Sequence, residues 1–275
     1  MVEYKIAVDL GGTYIRAALF KGSKIIKLHK TETQAKKGKS FVIKNLVNAI
    51  KEVKQNKKIK GIGIGSPGPI SHGIIKNPPN LPFKTLNLQK TIQSKFKIKT
   101  IVENDANCAA LAEARLGVKK KNIALLTLGT GIGAGIIINN ELYTGSGYAS
   151  EAGHMIIQDG KELEVLAGGK SIKKITKKYF KKEIEAHDLL KINSKKAKEI
   201  INNEIKYLSM GIANLATILD PDVIIIAGGM RDLGNNFLNK VRKQVQKYTI
   251  LPKKINIQFS KLKEPGLLGA SLLIK

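Results

Sequence analysis

Residues 6–20 read Ile6-Ala-Val-Asp-Leu-Gly-Gly-Thr-Tyr-Ile-Arg-Ala-Ala-Leu-Phe20, two apolar runs that a Gly-Gly-Thr turn separates. Short apolar runs that are broken by glycines and then resume are typical of β-hairpins. Residues 124–138 repeat the pattern around a Gly-Thr-Gly turn at 129–131. Glycine lets backbone N–H groups approach a phosphate closely, and threonine adds a hydroxyl donor. The two turns therefore predict two related half-domains that face one polyphosphate, which indicates phosphoryl transfer.

The composition is that of a folded protein with ample core. The chain has 275 residues, 43% of them apolar, and one cysteine, Cys108. A length of this order allows one large domain or two modest ones, and the apolar content excludes disorder as the main state. No apolar run reaches the roughly 18 residues of a membrane helix, and the N-terminus lacks the pattern of a signal peptide. We expect a cytoplasmic protein without disulfides or a membrane partner.

The net charge of +27 suggests two interpretations. A basic surface can bind nucleic acid, because it releases counterions from the phosphate backbone. However, all but four of the 48 basic residues are lysine, and they are scattered along the chain. Base recognition relies on arginine and single-strand binding on aromatic residues, so we favour solvated lysines that reflect a bias toward A·T-rich codons. The densest run, 170–182, predicts an amphipathic helix with Ile172, Ile175 and Tyr179 turned inward.

Strands and helices alternate along the sequence, which indicates an α/β protein. The first half predicts three strands, a helix with Ser40 as its N-cap, two more strands and a helix that begins at Asp105. The second half predicts a hairpin, a long helix that Asp220-Pro221 ends, a buried strand, a helix, a strand and a closing helix. The predicted strands span 4–9, 14–20, 24–32, 59–65, 100–103, 122–128, 133–139, 223–227 and 255–259, and the helices 41–54, 105–116, 195–219, 232–247 and 266–275.

We predict two domains, a small N-terminal lobe at 1–110 and a larger C-terminal lobe at 111–275, that meet at a cleft near residues 108–120. The closing helix, 266–275, is expected to pack back on the N-terminal lobe. Glycine-rich or polar turns follow several predicted strands at their carboxyl ends, where open α/β sheets bind ligands.

Three polar motifs lie between these elements. Asp105 follows a strand directly and could accept a proton from an alcohol during phosphoryl transfer, with Asn104 holding the acceptor; the alternative is a helix N-cap. Glu151 and His154 are three residues apart, so one helical turn would present both to the hydroxyls of a sugar. A metal site at this pair lacks further ligands nearby. Asn80 lies in a proline-rich loop and could equally be a turn residue.

Six motifs come in the order and spacing of a known family: Asp-Leu-Gly-Gly-Thr at 9–13, Gly-Ser-Pro-Gly at 65–68, Asn-Leu-Pro at 80–82, Glu-Asn-Asp at 103–105, Leu-Gly-Thr-Gly at 128–131 and Glu-Ala-Gly-His at 151–154. On these motifs the chain resembles the ROK family of bacterial- and archaeal-type glucokinases and related sugar kinases. The resemblance covers essentially the whole chain. It implies two actin/hexokinase-like, ribonuclease H-like lobes around a central cleft.

The resemblance also implies residue roles. Asp105 would be the general base, and Asp9 would lie near Mg²⁺ and act on it through water, as suits a strongly hydrated ion. The residues that would hold the sugar are Gly68, Asn80, Asn104, Asp105, Glu151, His154 and Glu164. Those that would hold ATP are Gly11, Gly12, Thr13, Thr130 and Gly131 at its phosphates and Gly228 and Gly229 under its adenosine. The family also suggests a homodimer.

The chain departs from the family pattern at residues 155–163. Members commonly carry a cysteine-rich segment there that binds structural zinc together with the preceding histidine. Here the segment is shorter and has no cysteine, so we expect no structural zinc. The family's repressors carry an N-terminal winged helix, which is not expected here because the first hairpin begins near residue 4.

These observations predict an ATP-dependent hexose kinase, most simply a glucokinase, with Asp105 as its general base. Alternatives within the family are an N-acetylmannosamine, N-acetylglucosamine or fructose kinase, and polyphosphate as the phosphoryl donor, since a basic protein attracts a polyanion. A non-catalytic, sugar-responsive nucleic-acid-binding protein is the alternative from another class.

Overall fold

The computed structural model describes residues 3–275. Fifteen strands lie in this part of the chain: β1 (Tyr4–Leu10), β2 (Tyr14–Lys21), β3 (Lys24–Glu32), β4 (Ile59–Ser66), β5 (Ile70–Ser71), β6 (Ile74–Lys76), β7 (Thr85–Asn87), β8 (Thr100–Asn104), β9 (Ile123–Leu128), β10 (Ile132–Ile138), β11 (Glu141–Leu142), β12 (Ile156–Gln158), β13 (Lys161–Glu162), β14 (Val223–Ala227) and β15 (Ile257–Phe259).

Nine α-helices lie in the same residues: α1 (Lys39–Lys54), α2 (Leu88–Phe96), α3 (Asp105–Arg115), α4 (Leu163–Ala167), α5 (Gly169–Phe180), α6 (Ala186–Leu189), α7 (Lys195–Leu219), α8 (Gly234–Tyr248) and α9 (Pro265–Leu272). Short 3-10 helices lie at Ala35–Lys37, Ala152–His154 and Gly229–Leu233. The α/β class expected from the sequence is confirmed.

The chain separates into two compact units. The first contains Met1–Val118, Leu142–Ala149 and Leu262–Lys275, and the second contains Lys119–Glu141 and Ser150–Lys261. The C-terminal segment belongs to the first unit, where α9 packs against β1, β4 and α3. The sequence predicts a boundary at residue 110, and the first segment of the first unit ends at Val118.

Each unit is built around a five-stranded sheet in which an antiparallel hairpin is followed by parallel strands. The first unit has the strand order β3-β2-β1-β4-β8, and the second β11-β10-β9-β14-β15. The pair β1–β4 and the pair β4–β8 are parallel, as are β9–β14 and β14–β15. The repeated plan explains the repeated sequence signal, because each unit begins its sheet with a glycine-turn hairpin.

Two details of the predicted helices are wrong. Helix α1 begins at Lys39, with Gly38 at the N-cap position and no side-chain cap, so Ser40 lies inside the helix and does not cap it. In α5, Ile172 is buried as expected, whereas Tyr179 is half exposed under the ammonium group of Lys196. A tyrosine ring can bind a lysine ammonium group at the surface instead of packing in the core. The spacing of apolar residues along a helix does not distinguish these two environments.

Within residues 3–275, no helix is both long and apolar enough to cross a lipid bilayer.

Two glycines, Gly63 and Gly269, allow the backbone of α9 to contact the backbones of β4 and α3 directly. A Cβ atom at Gly63 of β4 would lie 1.8 Å from the carbonyl oxygen of Ala270, and one at Gly269 would lie 1.7 Å from that of Cys108 in α3. Neither carbonyl is the end of a flexible side chain, so neither can give way without moving a helix. Glycine is therefore required at both positions for α9 to lie on the sheet and on α3.

We predict that Gly63→Ala destabilises the protein by about 1–3 kcal/mol or more, because the methyl group overpacks a rigid contact. The matched control is Gly61→Ala on the same strand, where the three atoms nearest to the new Cβ, at 2.7–3.1 Å, all belong to the side chain of Ile274 and none to the backbone. Urea unfolding measures both variants. Equal losses of stability at the two positions would contradict the assigned close approach.

Glu204 is an unusual residue in the core of the second unit. It lies on α7, is 2% exposed, and its Oε1 atom has no hydrogen-bond partner among the described residues. Burial raises the pKa of this carboxyl well above its usual range. A buried carboxyl oxygen without a hydrogen-bond partner costs about 1–3 kcal/mol, so we expect Glu204 to destabilise the fold.

We predict that Glu204→Met stabilises the protein by about 1–3 kcal/mol at pH 7. Between its unfolded and folded pKa values Glu204 is ionised in the unfolded chain and protonated in the fold, so wild-type stability falls as the pH rises. The variant should lack this component of the pH dependence. Glu199→Met, at an exposed position of the same helix, is the control. A pH dependence of stability that is identical in Glu204→Met and wild type would exclude Glu204 as its source.

Candidate active site

The first glycine turn joins β1 to β2 and is held from several sides. The N–H of Gly11 donates to the carbonyl of Tyr14 at 2.9 Å, and the buried hydroxyl of Thr33 donates to the carbonyl of Gly11 at 2.6 Å. Thr33 also donates its N–H to the carbonyl of Thr13 at 2.8 Å. A Cβ at Gly12 would lie 2.6 Å from Cβ of Asn80, so the turn lies directly against the Asn80 loop. The structure thus brings the predicted phosphate turn and a predicted sugar residue together.

Asp9 lies near the end of β1, beside the guanidinium of Arg16. The register pairs Asp9 with Arg16 across the two strands, and their side chains are 3.3 Å apart. The same guanidinium contacts Glu264 at 2.5 Å. Burial raises the pKa of Asp9 to about 6; Arg16 opposes that shift, while Asp105 and Glu264 add to it. Neither Arg16 nor Glu264 was among the site residues predicted from the sequence, although a hairpin that turns at Gly11 and Gly12 pairs Asp9 with Arg16.

Helix α3 begins at Asp105, and its N-cap is Asn104. The Asn104 side-chain oxygen accepts from the N–H groups of Ala106 at 2.9 Å and Asn107 at 3.2 Å, and its amide donates to the carbonyl of Gly68 at 3.1 Å. The capping role considered for Asp105 therefore belongs to its neighbour. Asp105 stands at the first helical position, with Oδ1 accepting from the N–H of Ala106.

Gly68 has a reason to be glycine beyond its contact with Asn104. Its φ of +96° lies in the left-handed region, and a Cβ there would lie 2.8 Å from Cα of Pro78. Asn80, with φ +63°, occupies a turn conformation in the same loop region. In the first unit, the Gly68 turn, the Asn80 loop, Asn104 and the glycine turn at 11–12 are linked by these contacts.

The second glycine turn joins β9 to β10, and residues of α4 and α5 form hydrogen bonds with it and with the start of β10. The carboxylate of Glu164 accepts from the N–H of Ile132 at 2.7 Å, and a Cβ at Gly131 would lie 2.1 Å from that carboxylate. Gly169 donates its N–H to the carbonyl of Gly129, and Lys170 donates to that of Thr130. Glu164, predicted at the sugar, thus also supports the predicted phosphate turn.

Glu151 and His154 flank one turn of 3-10 helix, Ala152–His154, as their spacing predicts. The N–H of His154 donates to the carbonyl of Glu151 at 3.0 Å. Burial raises the pKa of Glu151, His154 lowers it, and Glu164 adds to the rise. The Nδ1 atom of His154 lies 2.9 Å from Oε2 of Glu162, and this contact raises the pKa of the imidazole. Glu162 was not among the predicted site residues, because residues 155–163 were predicted only as a shortened segment and not as a hairpin.

Gly228 and Gly229 follow β14, next to the end of β9. Gly228 has φ +90°, and a Cβ there would lie 2.4 Å from the carbonyl of Leu128, whereas Gly229 faces open space. The backbone at Gly229 is therefore accessible to a flat ligand. Across the described residues no group of three or more His, Cys, Asp or Glu side chains is arranged to hold a metal ion.

Comparisons with known proteins identify relatives of the chain over nearly its whole length. The model of the ROK family matches residues 5–275. A glucokinase from Thermotoga maritima is 28% identical, with 98% of this chain and 96% of the relative covered. The crystal structure of a ROK family glucokinase from Streptomyces griseus in complex with glucose and AMPPNP has a TM-score of 0.85 and 25% identity, covering 98% of this chain and 99% of that one. A xylose repressor from Caldicellulosiruptor bescii is 29% identical over 94% of this chain and 74% of its own length.

The fold, the glycine turns and these matches define the class of protein, a sugar kinase with the two-lobe actin-like fold. The chain belongs to the ROK family.

We predict that Asp9→Asn stabilises the protein relative to wild type by up to about 3 kcal/mol above pH 6, in the absence of divalent cations. The folded pKa of about 6 exceeds the usual value of 3.8, so the fold binds the proton more tightly than the unfolded chain. Wild-type stability is thus lost as the pH rises from about 4 to 6, and the asparagine lacks this loss.

Denaturant unfolding between pH 4 and 8 measures the difference between Asp9→Asn and wild type, with the exposed Asp232→Asn as the control. A difference that does not change with pH would show that Asp9 titrates normally in the fold.

Proposed function

We propose that the chain transfers the γ-phosphoryl group of ATP to the 6-hydroxyl of a hexose, most simply glucose. The observation that carries this proposal is the position of Asp105 at the start of α3, beside Asp9 and directly after the Asn104 cap. A carboxylate fixed at a helix start is suited to receive a proton from one defined direction. The relative from Streptomyces griseus, with glucose and AMPPNP bound, supports the choice of sugar and nucleotide.

Asp105 would act as the general base. As the 6-hydroxyl attacks the γ-phosphorus, its proton passes to a carboxylate oxygen of Asp105, and the bond from the γ-phosphorus to the leaving ADP oxygen breaks. The sugar oxygen then carries the phosphoryl group. Asn104 contributes by fixing the start of α3, and its side chain keeps one amide hydrogen beyond the contact with Gly68.

The remaining sugar contacts are assigned to groups that can bind hydroxyls. Glu151 and His154 offer a carboxylate and an imidazole on one helical turn. Gly68 and Asn80 offer backbone and amide groups in the first unit, and Glu164 offers the carboxylate that also holds the second glycine turn.

The glycine turns would cradle the donor phosphates. Gly11, Gly12 and Thr13 in the first unit and Thr130 and Gly131 in the second supply backbone N–H groups and hydroxyls. Gly228 and Gly229 would pass beneath the adenosine, where the absence of a side chain at Gly229 leaves open space.

A magnesium ion fits the chemistry of the first unit. Mg²⁺ takes one or two carboxylates together with phosphate oxygens and water, and Asp9 is a partly buried carboxylate whose neighbours Asp105 and Glu264 add negative potential. Asp9 would hold the ion through water, and the ion would neutralise charge on the donor phosphates when bound. Arg16 contacts the Asp9 carboxylate at 3.3 Å and would help to hold its orientation. A homodimer and a cytoplasmic location stay predictions of the sequence.

We predict that Asp105→Asn lowers kcat about 10²-fold or more and leaves sugar affinity within a few-fold, because the amide keeps the shape and loses the base. A coupled assay of ADP release measures turnover, and calorimetry measures glucose binding. The matched control is Asp188→Asn, an exposed aspartate of α6. Wild-type turnover in Asp105→Asn would remove Asp105 from the catalytic role.

The same assay with a panel of hexoses identifies the substrate. Turnover on N-acetylmannosamine, N-acetylglucosamine or fructose in place of glucose would keep the mechanism and change the assigned sugar. Turnover with polyphosphate and not ATP would change the donor. An absence of turnover with every sugar and every donor would contradict the proposed kinase activity.

A further inference from the structure

The segment after His154 is a β-hairpin that returns to the histidine. Strands β12 and β13 pair through Ile156 and Glu162, and Leu163 donates its N–H to the carbonyl of Met155 at 2.8 Å. The turn between them, Asp159-Gly160, has φ values of +50° and +70°, which suit the tight turn of a two-residue hairpin. The backbone therefore fixes where Glu162 stands relative to His154.

Within this arrangement the two side chains meet through particular atoms. Oε2 of Glu162 lies 2.9 Å from Nδ1 of His154, and the imidazole is more than half exposed. A carboxylate accepts hydrogen bonds only, so Nδ1 must carry a proton. In the neutral imidazole this leaves Nε2 as an acceptor, and in the charged form Nε2 is a donor.

Two other carboxylates raise the pKa of the histidine without a hydrogen bond to its ring among the described contacts. Glu151 and Glu164 both act on His154 electrostatically. Of the elements packed against the 3-10 turn, α4 contributes Glu164 and β10 contributes no titratable side chain. Neither Glu151 nor Glu164 makes a hydrogen bond to the ring among the described contacts, so Glu162 is the group that orients it.

We propose that Glu162 is a positioning residue that locks the His154 ring with Nδ1 toward the hairpin and Nε2 toward a hydroxyl of the bound sugar. This inference rests on the proposed function, because it takes His154 as a sugar contact. Glu162 acts on the substrate through the imidazole. Its loss should weaken sugar binding and leave the proton transfer at Asp105 unchanged.

The test compares Glu162→Ala with Glu162→Gln. The glutamine retains an oxygen that accepts from Nδ1–H, whereas alanine removes it. For Glu162→Ala we expect the KM for the sugar to rise roughly three- to tenfold, the value of one hydrogen bond, with kcat within about twofold of wild type. Glu162→Gln should restore most of the affinity. Glu183→Ala, which removes an equal charge from an exposed position, is the control.

A spectroscopic measurement tests the orientation without any turnover. Long-range ¹H–¹⁵N correlation spectra report which ring nitrogen of a histidine is protonated, and a His154→Asn variant identifies the signal among the four histidines. We expect the Nδ1–H tautomer in wild type and in Glu162→Gln, and a shift toward Nε2–H in Glu162→Ala.

The outcomes separate this inference from the proposed function. An unchanged tautomer in Glu162→Ala, or a changed tautomer with an unchanged KM, would overturn the positioning role even in an active sugar kinase. A wild-type enzyme that phosphorylates no sugar would defeat the proposed function, and the role of Glu162 toward a sugar would fall with it, whatever the spectra show.

Discussion

The first unit depends on the backbone contact of α9 with β4 and α3. Because Gly63 and Gly269 have no side chain, the last helix of the chain lies directly on the first sheet and on the helix that carries Asp105. Glu264, just before α9, thereby reaches the guanidinium of Arg16, which also contacts Asp9. Packing of backbone against backbone thus positions Glu264 and Asp105 relative to Asp9. The position of α9 therefore affects the pKa of Asp9. Arg16 lowers this pKa, whereas Glu264 and Asp105 raise it.

In the second unit the carboxylate of Glu164 contacts the second glycine turn and also acts on Glu151. Glu164 accepts a hydrogen bond from Ile132 and fills the space that a Cβ of Gly131 would occupy, so the shape of the glycine turn depends on it. Glu164 also raises the pKa of Glu151. A change at Glu164 therefore alters the proposed phosphate turn and the proposed sugar contacts together, and a loss of activity there could not be assigned to either one. Glu162 is the better probe of the sugar contacts because it touches His154 and no residue of the turn in the described contacts.

Local signals in the sequence predicted most of the fold. The glycine turns, the apolar runs at 59–65 and 223–227 and the long helix at 195–219 all appear in the structure, because periodicity and turn chemistry act over a few residues. Capping was predicted less well: Ser40 and Asn104 show that the choice between adjacent capping residues depends on backbone geometry. The contact of Arg16 with Glu264 joins residues 248 positions apart, which no local pattern encodes. By contrast, the Asp159-Gly160 pair is a local sequence signal that is typical of a hairpin turn, and it could have predicted the hairpin that contains Glu162.

The distribution of basic residues separates surface charge from structural roles. Only four of the 48 basic residues are arginine. Arg16 joins two carboxylates, Arg231 donates to the carbonyl of Ser260, and Arg242 donates through two nitrogens to that of Ile257. These contacts need a planar group with several hydrogen-bond donors in a fixed arrangement, which lysine lacks. Most of the net charge of +27 is therefore carried by lysine, whose long-range effect is screened within about 8 Å at physiological salt. The positive charge that bears on Asp9 comes from Arg16, while Asp105 and Glu264 act in the opposite sense, so the overall basicity of the chain and the electrostatics of its site have separate origins.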